Sequence, residues 1–236
     1  MAYERVLLKL SGEVFGGTSG AGLDLDAIEQ IALQVRQLTN LGCQVAVVIG
    51  GGNILRGAAF GEKGMNRATA DYMGMLGTVI NALAFQDAIE RIGLHARVLS
   101  ALHVHSVCEP FIVRRAVRHL EKGRVVILAG GTGNPFFTTD TTAALRAKEI
   151  QAEILLKATK VDGVYSGDPK KDPTAKRYER VTYDEVLERD LKVMDAAAIA
   201  LCRENHLPIL VFSMLEPGNI VRAVRGEKLG TLVVAS

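Results

Sequence analysis

Residues 125 to 149 constrain the fold of this chain more than any other stretch. Val125-Val126-Ile127-Leu128 is an apolar run of strand length, and Ala143-Ala144-Leu145-Arg146-Ala147-Lys148-Glu149 reads as a helix. Between them stands Ala129-Gly130-Gly131-Thr132-Gly133-Asn134-Pro135-Phe136-Phe137-Thr138-Thr139-Asp140-Thr141. The unit is therefore a buried strand, a glycine turn and a helix start. Glycines at such a place let backbone N–H groups approach an anion with no side chain in the way. Thr138, Thr139 and Asp140 sit where hydroxyls and a carboxylate would face a ligand at the helix N-terminus. The same residues also suit a plain strand-to-helix turn with a Thr or Asp N-cap. A second glycine turn, Gly50-Gly51-Gly52-Asn53, follows another buried strand, Val45 to Ile49. Two such turns at strand ends point to two phosphate groups in one cleft.

The rest of the chain repeats that alternation. Arg5-Val6-Leu7-Leu8-Lys9-Leu10 is a nearly unbroken apolar strand, as in a sheet covered on both faces, and it ends at Ser11-Gly12-Glu13 with Lys9 at its carboxyl end. Residues 16 to 22 have no periodicity and read as a mobile loop. Asp26-Ala27-Ile28-Glu29 resembles a capping box, opening a helix whose stripe is Ile28, Ile31, Ala32, Val35 and Leu38. A long helix spans Arg67 to Ile92, with Met73, Leu76, Ile80, Leu83 and Ala84 on its apolar side and Asp71 in its first turns. A short strand at Ala96 to Leu99 and a helix from Phe111 to Leu120 follow. Glu153 to Lys157 is another strand with a lysine at its carboxyl end. Residues 158 to 169 read as a ligand-facing loop, and 170 to 180 as a charged, proline-punctuated surface excursion. Short helices near Tyr183, from Ala196 (capped by Asp195) and from Asn219, and strands at Pro208 to Phe212 and Gly230 to Val234, complete the chain. Such alternation implies an α/β fold with a mainly parallel sheet, helices on both faces, and ligands at the strands' carboxyl ends.

Composition narrows the class. At 236 residues, 48% hydrophobic and 5% aromatic, the chain suits one compact α/β domain. A formal net charge of +2 requires no nucleic-acid partner, and Arg114, Arg115 and Arg118 read as a solvated helix face. Cys43, Cys108 and Cys202 are odd in number and far apart, which suits reduced thiols and a cytoplasmic setting. The first residues lack a signal-type apolar core, and no apolar run approaches the ~20 residues of a membrane span. His103 and His105 alternate on extended chain and could share a metal, but no third ligand is evident, so no metal site is assigned.

Neither common nucleotide signature is present. A Walker A loop needs Gly-x-x-x-x-Gly-Lys-[Ser/Thr], and a dinucleotide fingerprint needs a third glycine where Phe136 stands. What the chain offers instead is two glycine turns and two strand-end lysines, Lys9 and Lys157. Phosphoryl transfer calls for such a set, because its catalysis is mostly positioning and electrostatic stabilisation of charge on the equatorial oxygens.

These residues carry a resemblance over essentially the full length. Leu8-Lys9-Leu10-Ser11-Gly12-Glu13, Val48-Ile49-Gly50-Gly51-Gly52-Asn53 with Arg56-Gly57, Gly64-Met65-Asn66-Arg67, Asp71 with Met73-Gly74-Met75-Leu76, Gly131 to Asp140, and Leu156-Lys157-Ala158-Thr159-Lys160-Val161-Asp162-Gly163-Val164-Tyr165 are the matching motifs. The chain resembles the bacterial uridylate kinases, within the amino acid kinase family. That resemblance implies an open αβα sandwich, one domain over 1–236, that uses ATP and Mg2+ to phosphorylate UMP to UDP in pyrimidine nucleotide biosynthesis. The N-terminal part would mainly hold UMP and the C-terminal part mainly ATP. By the same resemblance Lys9, Leu10, Ser11, Gly12, Gly52, Arg56, Thr159, Tyr165 and Asp168 would hold ATP. Gly51, Asp71, Thr132, Gly133, Asn134, Pro135, Phe136, Phe137, Thr138 and Thr139 would hold UMP. Lys9, Arg56, Asp140 and Lys157 would be catalytic. The family also implies a cytoplasmic homohexamer, with GTP as activator and UTP as inhibitor. The chemistry of the residues agrees: Arg56 offers a planar fork for phosphate, Asp71 can accept from ribose hydroxyls, and Tyr165 offers a face to adenine. The alternatives are a family member acting on a carboxyl-type acceptor and a uridine-nucleotide sensor without turnover.

Overall fold

The computed structural model describes residues 2–55, 64–169, 171–172 and 174–235. Its strands are β1 (Arg5–Leu10), β2 (Gln44–Ile49), β3 (Ala96–Ser100), β4 (Glu109–Pro110), β5 (Val125–Ala129), β6 (Ile154–Thr159), β7 (Arg180–Thr182), β8 (Ile209–Ser213) and β9 (Thr231–Val234). Among the described residues they form one sheet in the order β4-β3-β5-β2-β1-β6-β8-β9-β7, parallel at every pairing except the antiparallel β8–β9. The expected αβα architecture is what the chain adopts.

Two apolar layers sandwich the sheet because its central strands are apolar on both faces. On one side α1 (Leu25–Asn40), α2 (Arg67–Arg91) and α7 (Asn219–Val224) cover Leu8, Leu10, Val47, Ile127 and Leu156. On the other, α3 (Val113–Glu121), α4 (Thr139–Glu149), α5 (Tyr183–Glu188) and α6 (Ala196–Glu204) cover Leu7, Val48, Val126, Leu128 and Leu155. Lys9 pairs in register with Lys157 across β1 and β6. Laterally paired residues of neighbouring strands project to the same face, so both ammonium groups emerge on the side where α4 begins.

Four local expectations are corrected. The cap of α1 is Asp24, whose carboxylate accepts the Ala27 N–H at 3.0 Å, and the capping box lies instead at Thr182 and Glu185 before α5. Helix α3 starts at Val113, leaving Phe111 outside it. The third concerns α2, whose apolar residues lie on more than one side. It buries Ala70, Met75, Val79, Ala82, Phe85, Ala88 and Ile89, while Leu76 and Ile80 of the expected stripe are 47% and 45% exposed. Close approach selects the face: a Cβ on Gly51 would stand 2.5 Å from the Gly74 carbonyl oxygen, and Gly77 packs against Gly51 in turn. Small residues let the helix seat on the second glycine turn, and the larger Leu76 and Ile80 are left outside. Residues 16 to 22 are tethered rather than loose, for Gly22 donates to the Asn53 carbonyl at 2.9 Å and accepts from the Asn53 amide at 2.7 Å.

Candidate active site

The carboxyl ends of β1, β2, β5 and β6 gather the glycine turns into one edge. A Cβ on Gly12 would lie 2.5 Å from both the Gly50 carbonyl oxygen and Asn53 Oδ1, so the first two turns touch backbone to backbone. Asn81, buried in the middle of α2, donates to the Gly50 carbonyl (2.7 Å) and to Asn53 Oδ1 (2.7 Å), and accepts from the Asn53 amide (3.0 Å). Thr78 Oγ1 accepts the Gly130 N–H at 2.8 Å and donates to the Met75 carbonyl. One helix therefore braces both the Gly50 and the Gly130 turns. Gly130 and Gly131 have φ of +74° and +59°, the left-handed region where a side chain is strained.

Helix α4 opens at this edge. Thr138 caps it, its hydroxyl accepting the N–H groups of Asp140 (3.1 Å) and Thr141 (3.2 Å). This places the Asp140 carboxylate in the first turn, between the two strand-end lysines. Lys9 Nζ stands 2.9 Å from Oδ1 and Lys157 Nζ 2.7 Å from Oδ2. The Lys157 contact is an aligned hydrogen bond, whereas the Lys9 contact is a charge pair without hydrogen-bond alignment. Burial by itself would raise the Asp140 pKa, but the charges of Lys9 and then Lys157 outweigh it and hold the carboxyl below its ordinary value. Burial pushes the Lys157 pKa down, with Asp140 opposing. Lys157 also donates to the Val193 carbonyl.

Two clefts open on either side of that cluster. One, of about 350 Å³, is lined by residues that include Gly51, Gly52, Arg67, Asp71, Gly131, Thr132, Asn134, Phe137, Thr138 and Thr139. The other, of about 210 Å³, is lined by Lys9, Ser11, Glu13, Val14, Lys157, Ala158, Thr159 and Lys160. Asp140 follows Thr139 of the first and is clasped by the lysines of the second. A further cavity of about 350 Å³, with Tyr3, Arg177, Leu210, Ala223 and Leu232 in its wall, contains none of these groups.

Most expected site residues thus come together, with particular departures. Gly52 lines the cleft of Gly51 and Asp71, not that of Lys9. Leu10 is fully buried in the core and its carbonyl accepts the Gly50 N–H, so its side chain faces no ligand. Asp71 is already engaged: both its oxygens accept from Arg67 Nε (2.9 and 3.0 Å), and Oδ2 also accepts the Phe136 N–H (2.8 Å). Phe136 is 69% exposed with φ of +72°, and Pro135, Phe136 and Gly133 flank the larger cleft without lining it. Tyr165 and Asp168 lie past Thr159 on the following loop, Tyr165 donating its hydroxyl to Asp162 at 2.8 Å. Arg56 lies outside the described residues. The His103 and His105 rings sit 5.2 Å apart on an exposed loop, and among the described residues no three metal-ligating side chains converge.

Four residues escaped the sequence reading as parts of this edge: Thr78, Asn81, Arg146 and Asp195. Asp195 was expected only to cap α6, which it does, accepting the Ala198 N–H at 3.0 Å; it also accepts from the hydroxyls of Thr138 and Thr141, tying α6 to the start of α4. Asn81 alone left a signal, a polar amide amid an apolar helix.

A parallel sheet whose carboxyl edge presents stacked glycine turns and a carboxylate clasped by two lysines defines an α/β protein built to handle phosphate groups. The chain belongs to the amino acid kinase family, whose model matches residues 4–213. It is similar to the UMP kinase of Bacillus anthracis, with 40% identity, a TM-score of 0.96, and coverage of 99% of this chain and 97% of that one. It is also similar to the UMP kinase of Ureaplasma parvum, at 38% identity and a TM-score of 0.93, covering 99% of this chain and 100% of that one. The uridylate kinase of Archaeoglobus fulgidus matches at 32% identity and a TM-score of 0.74, over 97% and 99% of the two chains. Among the described residues no helix is long and apolar enough to cross a membrane.

Proposed function

We propose that this protein transfers the γ-phosphoryl group of ATP to UMP, giving ADP and UDP. The observation that carries the reading is the Asp140 carboxylate held between Lys9 and Lys157, which line one cleft, one residue beyond Thr139 of the other. Similarity to two UMP kinases over 99% of the chain supports the choice of acceptor. In this reading UMP occupies the larger cleft, built mainly by the N-terminal part, with Asp71, Thr132, Asn134, Phe137, Thr138 and Thr139 around it. ATP lies along the smaller cleft, with its phosphates over Lys9, Ser11 and Gly12 and its adenosine end toward Thr159, Tyr165 and Asp168.

The acceptor oxygen belongs to a phosphate already ionised at neutral pH, so no general base is needed, and no histidine lines either cleft. A UMP phosphate oxygen bonds to the γ-phosphorus as the bond to the bridging oxygen of ADP breaks. The difficulty is repulsion between anions. Lys9 and Lys157 neutralise charge on the transferring group, and Asp140 fixes where their ammonium groups point. Both oxygens of Asp140 already face ammonium groups, so Mg2+ would ride on the nucleotide phosphates and water, where it shields charge, rather than in a protein cage. The same reading carries a homohexamer activated by GTP and inhibited by UTP, with the exposed Leu76 and Ile80 of α2 suited to subunit contact.

The test is ADP release with ATP·Mg2+ and each common nucleoside monophosphate, alongside aspartate, glutamate, acetylglutamate and carbamate. Turnover with UMP above all others is expected. Turnover with a carboxyl-type acceptor instead, or tight UMP binding without ADP release, would overturn the reading.

A further inference from the structure

Arg146 is a large cation on α4, yet it is only 6% exposed. Such a charge is buried only when fully partnered. Its Nη1 donates to Glu149 Oε2 at 2.6 Å, its guanidinium lies 4.0 Å from the centre of the Phe111 ring, and its Nη2 approaches the Gly131 carbonyl oxygen at 3.4 Å. The last contact is long for a hydrogen bond. It is nevertheless a fixed one, because the other two hold the planar group in a single orientation.

The Gly131 carbonyl belongs to the turn between two left-handed glycines and the larger cleft. In a trans peptide the C=O and the following N–H point in opposite directions. A Gly131 carbonyl turned toward Arg146 therefore turns the Thr132 N–H away from Arg146, and Thr132 is itself a residue of the larger cleft's wall. Among the described residues the N–H groups of Gly131 and Thr132 have no protein acceptor, while those of Gly130, Gly133 and Asn134 are bonded within the protein; of the two, only the Thr132 N–H shares a peptide with the carbonyl that Arg146 holds. An idle donor with a cation polarising the far end of its peptide is a preset contact for an oxygen of a ligand.

We infer that Arg146 is a positioning residue for acceptor recognition: by holding the Gly131 carbonyl it aims the Thr132 N–H at an oxygen of the acceptor nucleotide. The inference rests on the larger cleft being the acceptor cleft. Arg146 itself touches no substrate. The partners that orient it, Phe111 and Glu149, come from the segment after β4 and from the last turn of α4, so three separated segments converge to set one peptide plane.

The experiment compares wild type with Arg146→Met, which keeps the bulk, and Arg146→Lys, which keeps the charge without the fork. The UMP KM, the ATP KM and kcat are measured for each. Loss of one hydrogen bond to ligand predicts a UMP KM raised about 3- to 10-fold in Arg146→Met, with the ATP KM unchanged and a smaller rise in Arg146→Lys. Equal shifts in both KM values, or none, overturn the inference. A measurement on the wild type covers the case in which the variants fail to fold. In 15N-labelled protein titrated with UMP, the Thr132 amide proton should move downfield, and a resonance that stays put at saturating UMP overturns the inference. Wild-type protein that shows no UMP turnover sinks the functional reading and this one with it, whereas turnover with an unmoved KM ratio sinks this one alone.

Discussion

Replacing Asp140 by Asn removes one charge and almost no volume, and the structure sets the expected loss. Lys9 and Lys157 lie 2.9 and 2.7 Å from the two oxygens of a single carboxylate. Those oxygens are themselves about 2.2 Å apart, so the ammonium nitrogens face each other across no more than about 8 Å, and at an effective dielectric constant near 20 they repel by at least about 2 kcal/mol. Without the carboxylate that repulsion is no longer offset, and a penalty of that size on the catalytic arrangement is about 30-fold in rate, while loss of a preorganised electrostatic element in other enzymes reaches about 10³-fold. A kcat lowered between those bounds is expected at saturating ATP and UMP, with UMP still binding by calorimetry. The pH profile supplies a second signature. Lys157 is already pushed below the ordinary lysine value by burial, and Asp140 is the main group holding its proton on. The Asn variant should therefore lose activity at lower pH than wild type on the alkaline side. Near-wild-type kcat, or activity restored by raising the pH, would refute the electrostatic role and reopen a proton-transfer role for Asp140.

Asp71→Ala should raise the UMP KM about 10- to 100-fold, the range for charge-assisted hydrogen bonds, and leave the ATP KM within twofold; equal rises in steady-state assays would reject its placement on the acceptor side. Gly51→Ala should destabilise the fold by about 1–3 kcal/mol, since the new methyl would stand 2.5 Å from the Gly74 carbonyl oxygen, and an unchanged Tm would mean that α2 shifts freely. Leu76→Glu with Ile80→Glu should lower the solution mass by light scattering while leaving the Tm of the subunit nearly unchanged, because both side chains are already about half exposed; an unaltered mass would count against assembly through this face. The depressed Asp140 pKa stabilises the fold above the carboxyl's unfolded value, and that contribution is lost as the pH falls through the lower folded value. Asp140→Asn should consequently flatten the acid limb of stability, and a limb of unchanged steepness in denaturant melts from pH 2 to 6 would contradict the linkage.

The local rules of this fold are legible in the chain's residues. Val125 to Leu128 and Arg5 to Leu10 read as strands buried on both faces, and the glycines after Ile49 and Ala129 mark where backbone comes close to something. Alternation of strands and helices then placed Lys9, Lys157 and Asp140 at one edge of the sheet. Those features are legible because period, apolarity and glycine content act within a few residues of chain. Which side of α2 is inside is a matter of packing, because its apolar residues lie on more than one side and the fit of Gly74 and Gly77 against Gly51 selects the face. Tertiary structure also decided that Lys9 and Lys157 share one carboxylate, a matter of register between strands far apart in sequence. Arg146 and Asp195 joined the site for the same reason: in sequence each is an ordinary helix residue or cap. Their role comes from partners such as Gly131, Phe111, Thr138 and Thr141, which only the folded chain brings within reach of a side chain.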